Sequence, residues 1–204
     1  MTDRDKELEK GLILRAKEGD NSAFEEIIKL YEQKVCSTIY YMVKDQNVVE
    51  DIAQDVFIKI YRNISKFNEQ SSLYTWIYRI TMNCCFDELK RDKKVTVFSN
   101  YIENDDGDEE EVQFEDPSQN VSKIIESKLD KEELVKAIKR LPDDQRAIIV
   151  LRDIRGFTYW EIADMLKLKL GTVKSKINRA RIALKEELEK AGFEYYISDN
   201  DKII

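Results

Sequence analysis

The chain has 204 residues, a net charge of −7, six glycines and two prolines. A chain of this length forms one or two domains, and the scarcity of glycine and proline favours helices over turn-rich β architectures. It contains no histidine and no glycine-rich phosphate loop. This composition excludes a Ser-His-Asp triad, the histidine-containing zinc sites and the common nucleotide-binding loops. We therefore expect neither a metal site nor a cofactor.

The cellular location is predicted from the N-terminus, the hydropathy and the cysteines. Residues 1–10 are charged, and no apolar run approaches the roughly 20 residues that a membrane-spanning helix needs. The cysteines Cys36, Cys84 and Cys85 lack a C-x-x-C spacing, which is typical of reduced thiols packed as small hydrophobic groups, with redox sensing as the alternative. The sequence predicts a cytoplasmic protein without membrane insertion.

The net charge is distributed unevenly along the chain. Residues 95–130 contain 11 acidic and 2 basic side chains, whereas residues 131–190 contain 10 acidic and 15 basic ones. Low hydrophobicity combined with a run of like charge is typical of a flexible linker. We therefore predict an acidic linker over residues 95–128 and a basic domain after it.

Apolar residues recur at helical spacing between residues 20 and 94. Ser22, with Glu25 three residues later, predicts a capping box at the start of the first helix. Three stripes follow: Phe24, Ile27, Ile28, Tyr31 and Val35; Val48, Val49, Ile52, Val56, Phe57, Ile60 and Ile64; and Leu73, Trp76, Ile77, Ile80 and Cys84. Each stripe must bury its apolar face, so we predict a helical bundle with Trp76 in its core.

Four short helical patterns lie between residues 129 and 190, the first ended by Pro142. The last two have the pattern of a helix-turn-helix. Thr158 and Glu161 begin one helix, whose inward residues are predicted to be Ile162, Ala163 and Leu166. After a turn at residues 168–170, the second helix is predicted to bury Val173, Ile177, Ala180 and Leu184.

The second helix of this motif lies in a basic stretch of the chain. Seven Lys or Arg residues and no acidic residue occur from Lys167 to Lys185. Such a helix neutralises several phosphates while its N-terminal turns reach base edges in the major groove. The pattern therefore predicts DNA binding, with an ordinary solvated basic face as the alternative.

The same residues resemble the −35-reading domain of extracytoplasmic-function σ factors, a group of the bacterial σ70 superfamily. The resemblance rests on Leu141–Arg146, Leu151–Asp153, Gly156–Ala163, Gly171–Lys176 and Arg179–Arg181. It implies −35 DNA contacts by Thr172, Lys174, Ser175, Lys176, Asn178, Arg179 and Arg181. Lys174 and Lys176 stand where many relatives have arginine, so the −35 sequence preference does not carry over.

Two segments of the N-terminal block are similar to the other σ domain. Asp51–Phe57 resembles the segment that docks on the β′ clamp helices of RNA polymerase, which implies contacts by Asp51, Gln54 and Asp55. Phe67–Ile80, with Asn83, resembles the loop and helix that melt the −10 element. That resemblance implies DNA contacts by Phe67, Asn68, Arg79, Asn83, Lys90 and Arg91. Asn68-Glu69 replaces the Arg-Gly that many relatives have in this loop.

The sequence is therefore identified as an all-α protein with two helical domains. They are a σ2-like bundle (12–94) and a σ4-like helix-turn-helix domain (129–190), with the acidic flexible linker (95–128) between them and a tail (191–204). The resemblance implies a transcription initiation factor without catalytic residues. Its partners would be core RNA polymerase (β′ clamp helices and β flap), promoter DNA and an anti-σ protein.

Two other functions stay open at this point. One is a stand-alone helix-turn-helix regulator, which would bind a palindromic operator as a dimer. The other is an enzyme that uses the carboxylates of Asp51 and Asp55. A separate hypothesis assigns the acidic linker to a basic polymerase channel, where it would imitate a nucleic acid.

Overall fold

The computed structural model describes residues 3–93 and 128–192, together with the strands Ile197–Ser198 and Lys202–Ile203. The chain divides into two compact units, Met1–Asp92 and Lys93–Ile204. The predicted linker lies outside the described residues except for Lys128, and the hypothesis about its function falls there as well. Within the described residues the two strands pair antiparallel and the remaining regular structure is helical, which confirms the all-α prediction. None of the described helices combines the length and the apolar character that a membrane-spanning helix requires.

The first unit is built from four α-helices. They are α1 (Asp3–Lys17), α2 (Asn21–Met42), α3 (Val49–Asn63) with a 3-10 turn after it (Ile64–Lys66), and α4 (Leu73–Lys93). The predicted three-helix bundle corresponds to α2, α3 and α4, whose core residues include Ile27, Val56 and Ile77 with no exposed surface. The sequence did not predict α1, which packs on α2 through Leu12 and Ala16.

The start of α2 corrects the predicted capping box at Ser22 and Glu25. The cap is Asp20, because its Oδ1 accepts hydrogen bonds from the backbone N–H groups of Ser22 and Ala23. Asp20 also accepts hydrogen bonds from Ser22 Oγ and from the Arg15 side chain. These hydrogen bonds favour the carboxylate and lower the pKa of Asp20 to about 2. Asp and Ser both cap helices well, and here the cap is Asp20, the earlier of the two candidates.

The second unit contains the four predicted helical segments. They are α5 (Lys128–Arg140), α6 (Asp143–Ile149) continued by a π-helical segment (Val150–Ile154), α7 (Tyr159–Leu166) and α8 (Leu170–Lys190). Helix α8 packs against α5, α6 and α7. Its residues Val173, Ile177, Ala180 and Leu184 are all buried, as their spacing predicted.

A buried arginine fixes the connection between α5 and α6. Arg146 has no exposed surface, and its Nη2 donates to the carbonyl of Leu141 and to Oδ1 of Asp143, both at 2.9 Å. An unpaired charge at this depth would be costly, so the two acceptors account for the position of the guanidinium group. Arg146 belongs to the family-like segment Leu141–Arg146, and packing explains its presence there.

Candidate functional site

The exposed edge of α3 consists of Asp51, Gln54 and Asp55, the three residues predicted to contact polymerase. All three are exposed, whereas Ile52 and Val56 on the opposite face are buried. Residues three and four positions apart share a helix face, so the two carboxylates and the amide form one polar row. Their predicted orientation is confirmed, and their role stays a prediction.

Beside this edge lies a groove of about 890 Å³ between α2 and α3, which the sequence did not reveal. Its lining combines mostly apolar side chains, Phe24, Ile28, Cys36, Ala53, Phe57, Ile58 and Tyr61, with polar or charged ones, Glu32, Glu50, Gln54 and Arg62. Ile58 and Tyr61 are 46% and 51% exposed, although both are large and apolar. Exposed apolar surface next to polar side chains is typical of a protein interaction site.

The residues predicted to contact −10 DNA lie in two places. In the loop, Asn68 is exposed but Phe67 is buried, with its ring centroid 5.1 Å from that of Trp76. On α4, Asn83, Lys90 and Arg91 are exposed and Arg79 is half-buried. Spacings of four and seven residues put Arg79, Asn83 and Lys90 on one face of the helix.

A second groove, of about 450 Å³, lies between α3, the 3-10 turn and α4. It is lined by Lys59, Asn63, Lys66, Trp76, Ile80, Asn83 and Asp87. Trp76 was predicted to be core, but its side chain is half-buried and faces this groove. The buried face of α4 is set by Leu73, Ile77 and Tyr78, which turns Trp76 toward the rim.

The groove between α3 and α4 carries positive charge that the sequence reasoning missed. Lys59 Nζ donates to Cys84 Sγ at 3.2 Å and lies 3.9 Å from Asp87 Oδ2. The hydrogen bond to Cys84 raises the pKa of Lys59 above its usual value, so the ammonium form is retained at neutral pH. Cationic side chains beside an aromatic ring and amide groups are suited to a single nucleic acid strand.

The helix-turn-helix has the predicted local structure. Thr158 Oγ1 accepts from the backbone N–H of Glu161 at 3.2 Å, and Glu161 Oε2 accepts from the backbone N–H of Thr158 at 2.9 Å. This reciprocal pair is the capping box at the start of α7. The turn begins one residue earlier than predicted, at Lys167, whose φ is +57°. Ile162 is buried as predicted, but Met165 is the second inward residue, with Ala163 and Leu166 half-buried.

Two of the basic residues predicted to contact −35 DNA are engaged inside the second unit. Arg181 is 9% exposed, and its Nη2 lies 2.7 Å from Asp153 Oδ1. Lys176 Nζ lies 3.1 Å from Asp144 Oδ2, and both side chains are largely buried. Arg181 is therefore buried and paired rather than exposed, and its contact with DNA stays a prediction.

The other residues predicted to contact −35 DNA lie nearer the surface of α8. Asn178 and Arg179 are exposed, and Thr172, Lys174 and Ser175 are half-buried. Ser175 Oγ donates to the carbonyl of Thr172 at 3.1 Å. These five residues belong to the first three turns of the helix, the part that enters the major groove in helix-turn-helix proteins.

Comparisons with known proteins agree with this arrangement. Residues 27–95 match the family model Sigma-70 region 2, and residues 131–184 match Sigma-70, region 4. The chain is 32% identical to the RNA polymerase sigma-H factor of Pseudomonas aeruginosa, over 90% of this chain and 95% of that protein. It is also 32% identical to the ECF RNA polymerase sigma factor SigW of Bacillus subtilis, over 86% of this chain and 94% of that protein.

Solved structures share the fold. CnrH in complex with the cytosolic domain of CnrY gives a TM-score of 0.63 at 20% identity, covering 90% of this chain and 98% of that one. The sigma factor RpoE in complex with the anti-sigma factor NepR, from Bartonella quintana, gives 0.61 at 23% identity, covering 81% and 96%.

A region 2 bundle and a region 4 helix-turn-helix in one chain define a σ70-type promoter-recognition factor. The chain belongs to the extracytoplasmic-function (ECF) RNA polymerase σ factors. The predicted family and function are thus confirmed over the stand-alone regulator. The enzyme alternative is also rejected, because σ factors are non-enzymatic transcription initiation factors.

Proposed function

We propose that the first unit docks on the β′ clamp helices of core RNA polymerase through the α2–α3 groove and the polar edge of α3. Gln54 belongs to both surfaces, so they form one continuous patch. The apolar lining supplies area that is buried on docking, and Asp51 and Asp55 complement a basic partner. The second unit would contact the β flap.

We further propose that the α3–α4 groove receives the opened −10 strand. The observation that carries this proposal is the position of Asn83, which lines the groove together with Trp76 and two lysines. Trp76 offers a stacking surface for a base, and Lys59 and Lys66 neutralise phosphates. Arg79 and Lys90, on the same face of α4 as Asn83, extend this path along the helix.

For the −35 element, we propose that α8 enters the major groove with Thr172, Lys174, Ser175, Asn178 and Arg179. Lys176 is placed at the edge of this set because of its ion pair with Asp144. Arg181 is left out because Asp153 holds it in the interior. The basic contacts on α8 are therefore fewer than the seven Lys and Arg residues between Lys167 and Lys185.

We also propose that an anti-σ protein regulates this factor in the cytoplasm, where core polymerase acts. The support is the solved RpoE complex with the anti-sigma factor NepR, which shares the fold. Such a protein would cover the surfaces assigned above to polymerase and DNA.

Run-off transcription with purified core polymerase on genomic fragments tests the proposed function. We expect transcripts whose start sites share upstream −35 and −10 elements, and co-elution of the chain with core polymerase. Two variants distinguish the polymerase-docking surface from the −10 groove. The double variant Asp51→Lys, Asp55→Lys should no longer co-elute with core polymerase. Asn83→Ala should still co-elute with core polymerase, but the −10 thymines of its promoter complex should no longer react with permanganate. A chain that neither co-elutes with core nor supports any transcript would overturn the proposal.

A further inference from the structure

We propose that Lys17, in the last turn of α1, is a positioning residue for the −10 loop, defined here as residues 67–72. The inference rests on the proposed −10 function of the first unit and on the DNA contact predicted for Asn68 in this loop. Lys17 Nζ lies 3.2 Å from Glu69 Oε1 and 5.5 Å from the centroid of the Phe67 ring. Glu69 and Phe67 flank Asn68, an exposed loop residue that is predicted to contact DNA. One ammonium group therefore contacts both neighbours of Asn68.

The backbone of the loop needs such a contact. Glu69 has a φ of +59°, in the left-handed region that residues with a side chain rarely adopt. Glycine adopts the same conformation without steric cost. In this chain the attraction between Glu69 and Lys17 offsets part of that cost and favours one loop conformation.

The position of Lys17 is itself fixed by the end of α1. The N–H of Gly19 donates to the carbonyl of Ala16, and the N–H of Asp20 donates to the carbonyl of Arg15. This hydrogen-bond pattern is a Schellman motif, with Gly19 at a φ of +91°. Ala16 is buried against the bundle, and the Arg15 side chain binds Asp20. The C-terminal cap of α1 therefore fixes the backbone from which Lys17 projects.

The contact also reaches the groove between α3 and α4. The ring that Lys17 covers, Phe67, is 4% exposed and packs against Trp76. Trp76 in turn lines the groove assigned to the opened strand. If the loop shifted, Asn68 would move, and so would the Phe67 ring that packs against Trp76.

Positioning and simple electrostatics predict opposite effects for Glu69. An acidic side chain on a DNA-contacting loop repels phosphates, so electrostatics alone predicts tighter DNA binding when its charge is removed. Positioning predicts weaker binding, because the loop loses the contact that orders it. The charge-neutral variant Glu69→Gln distinguishes the two explanations.

The experiment uses holoenzyme and a fluorescent fork-junction DNA that carries the −10 sequence identified by run-off transcription. We expect Glu69→Gln and Lys17→Met each to weaken binding roughly two- to fivefold. The double variant should show the loss of one single variant, because both changes break the same contact. Glu26→Gln, which removes an exposed 2.7 Å pair with Lys29 on α2, is the matched control and should bind like the wild type.

Three results would overturn the inference. One is Glu69→Gln binding the fork junction as tightly as the wild type or more tightly. Another is an additive loss in the double variant, which would indicate a direct contact between Lys17 and DNA. The third is an equal loss of core affinity and thermal stability, which would indicate a purely structural role. If wild-type holoenzyme fails to bind the fork junction, the proposed function fails instead.

Discussion

Arg181 and Asp153 form an ion pair of 2.7 Å inside the second unit, with their side chains 10% and 9% exposed. The pair joins α8 to the π-helical segment that follows α6. One turn earlier in α8, Lys176 and Asp144 make a second connection at 3.1 Å. Two acidic residues that precede the helix-turn-helix thus fix the rotation of the recognition helix about its axis. Arg179, between the two paired residues, is exposed.

Arg181→Met should therefore affect stability, whereas Arg179→Met should affect DNA binding. Removing Arg181 leaves the Asp153 carboxylate buried without its partner, and we expect a loss of about 3–5 kcal/mol in the free energy of unfolding. Arg179→Met should change that free energy by less than about 0.5 kcal/mol. Urea unfolding of the full chain measures both.

The salt dependence of −35 binding provides the second readout. Loss of one phosphate contact in Arg179→Met should reduce the slope of log K against log salt by about 0.9. Arg181→Met should keep the wild-type slope once the folded fraction is taken into account. A stable Arg181→Met protein with a reduced slope would contradict the assignment of Arg181 to the interior.

Asp144→Asn should release Lys176 toward DNA. Without the ion pair the ammonium group becomes available to a phosphate, so the salt slope of −35 binding should steepen by about 0.9. The matched control is Asp164→Asn, which removes a 3.1 Å pair between Asp164 and Lys167 that is exposed on both sides. An unchanged slope in Asp144→Asn would show that Lys176 does not reach the backbone.

Local spacing predicted most of the second unit. Val173, Ile177, Ala180 and Leu184 follow each other at intervals of three or four residues, and a helix places such residues on one face. Thr158 was also predicted to begin α7, and the structure adds that Glu161 completes a capping box with it.

Features that depend on distant residues were not predictable in the same way. Arg181 and Asp153 are 28 residues apart, and periodicity does not show which basic residue finds a buried acidic partner. The α2–α3 groove is formed by side chains from two helices, so neither stripe reveals it alone. Trp76 lies one residue before Ile77, at the border of the buried face of α4, where a small rotation of the helix decides between core and groove.

The left-handed residue in the helix-turn-helix offers a stability test. Lys167 has a φ of +57°, which glycine adopts without steric cost. Lys167→Gly should therefore raise the free energy of unfolding by about 0.5–1 kcal/mol, with −35 affinity unchanged. Its exposed pair with Asp164 contributes little.

Lys169→Gly is the control for that substitution. Lys169 has a φ of −69°, so glycine relieves nothing there and adds conformational freedom to the unfolded chain. We expect the stability of Lys169→Gly to be unchanged or lower in the same urea titration. Equal stabilisation by both substitutions would mean that the backbone conformation at Lys167 is not the cause.

Alkylation of Cys36 tests whether core polymerase covers the α2–α3 groove. Cys36 lines that groove and is half-buried, whereas Cys84 and Cys85 are buried. Burial raises the pKa of all three thiols above the ordinary 9.0, and Glu32 adds to the shift at Cys36. Because the thiolate is the reactive form, modification by iodoacetamide should be slow at pH 7 and accelerate as the pH rises through and above 9.0, with Cys36 modified first.

Core polymerase should slow the modification of Cys36 at least several-fold, since docking would exclude the reagent from the groove. A −35 duplex should not change that rate, because it is assigned to the second unit. The Asp51→Lys, Asp55→Lys double variant supplies the control: its Cys36 should react at the same rate with and without core. Peptide mass spectrometry after timed alkylation gives the rates. If Cys36 were modified at the same rate in the free wild-type chain and in its holoenzyme, the groove would not belong to the docking surface. Docking would then rely on the polar edge of α3 alone.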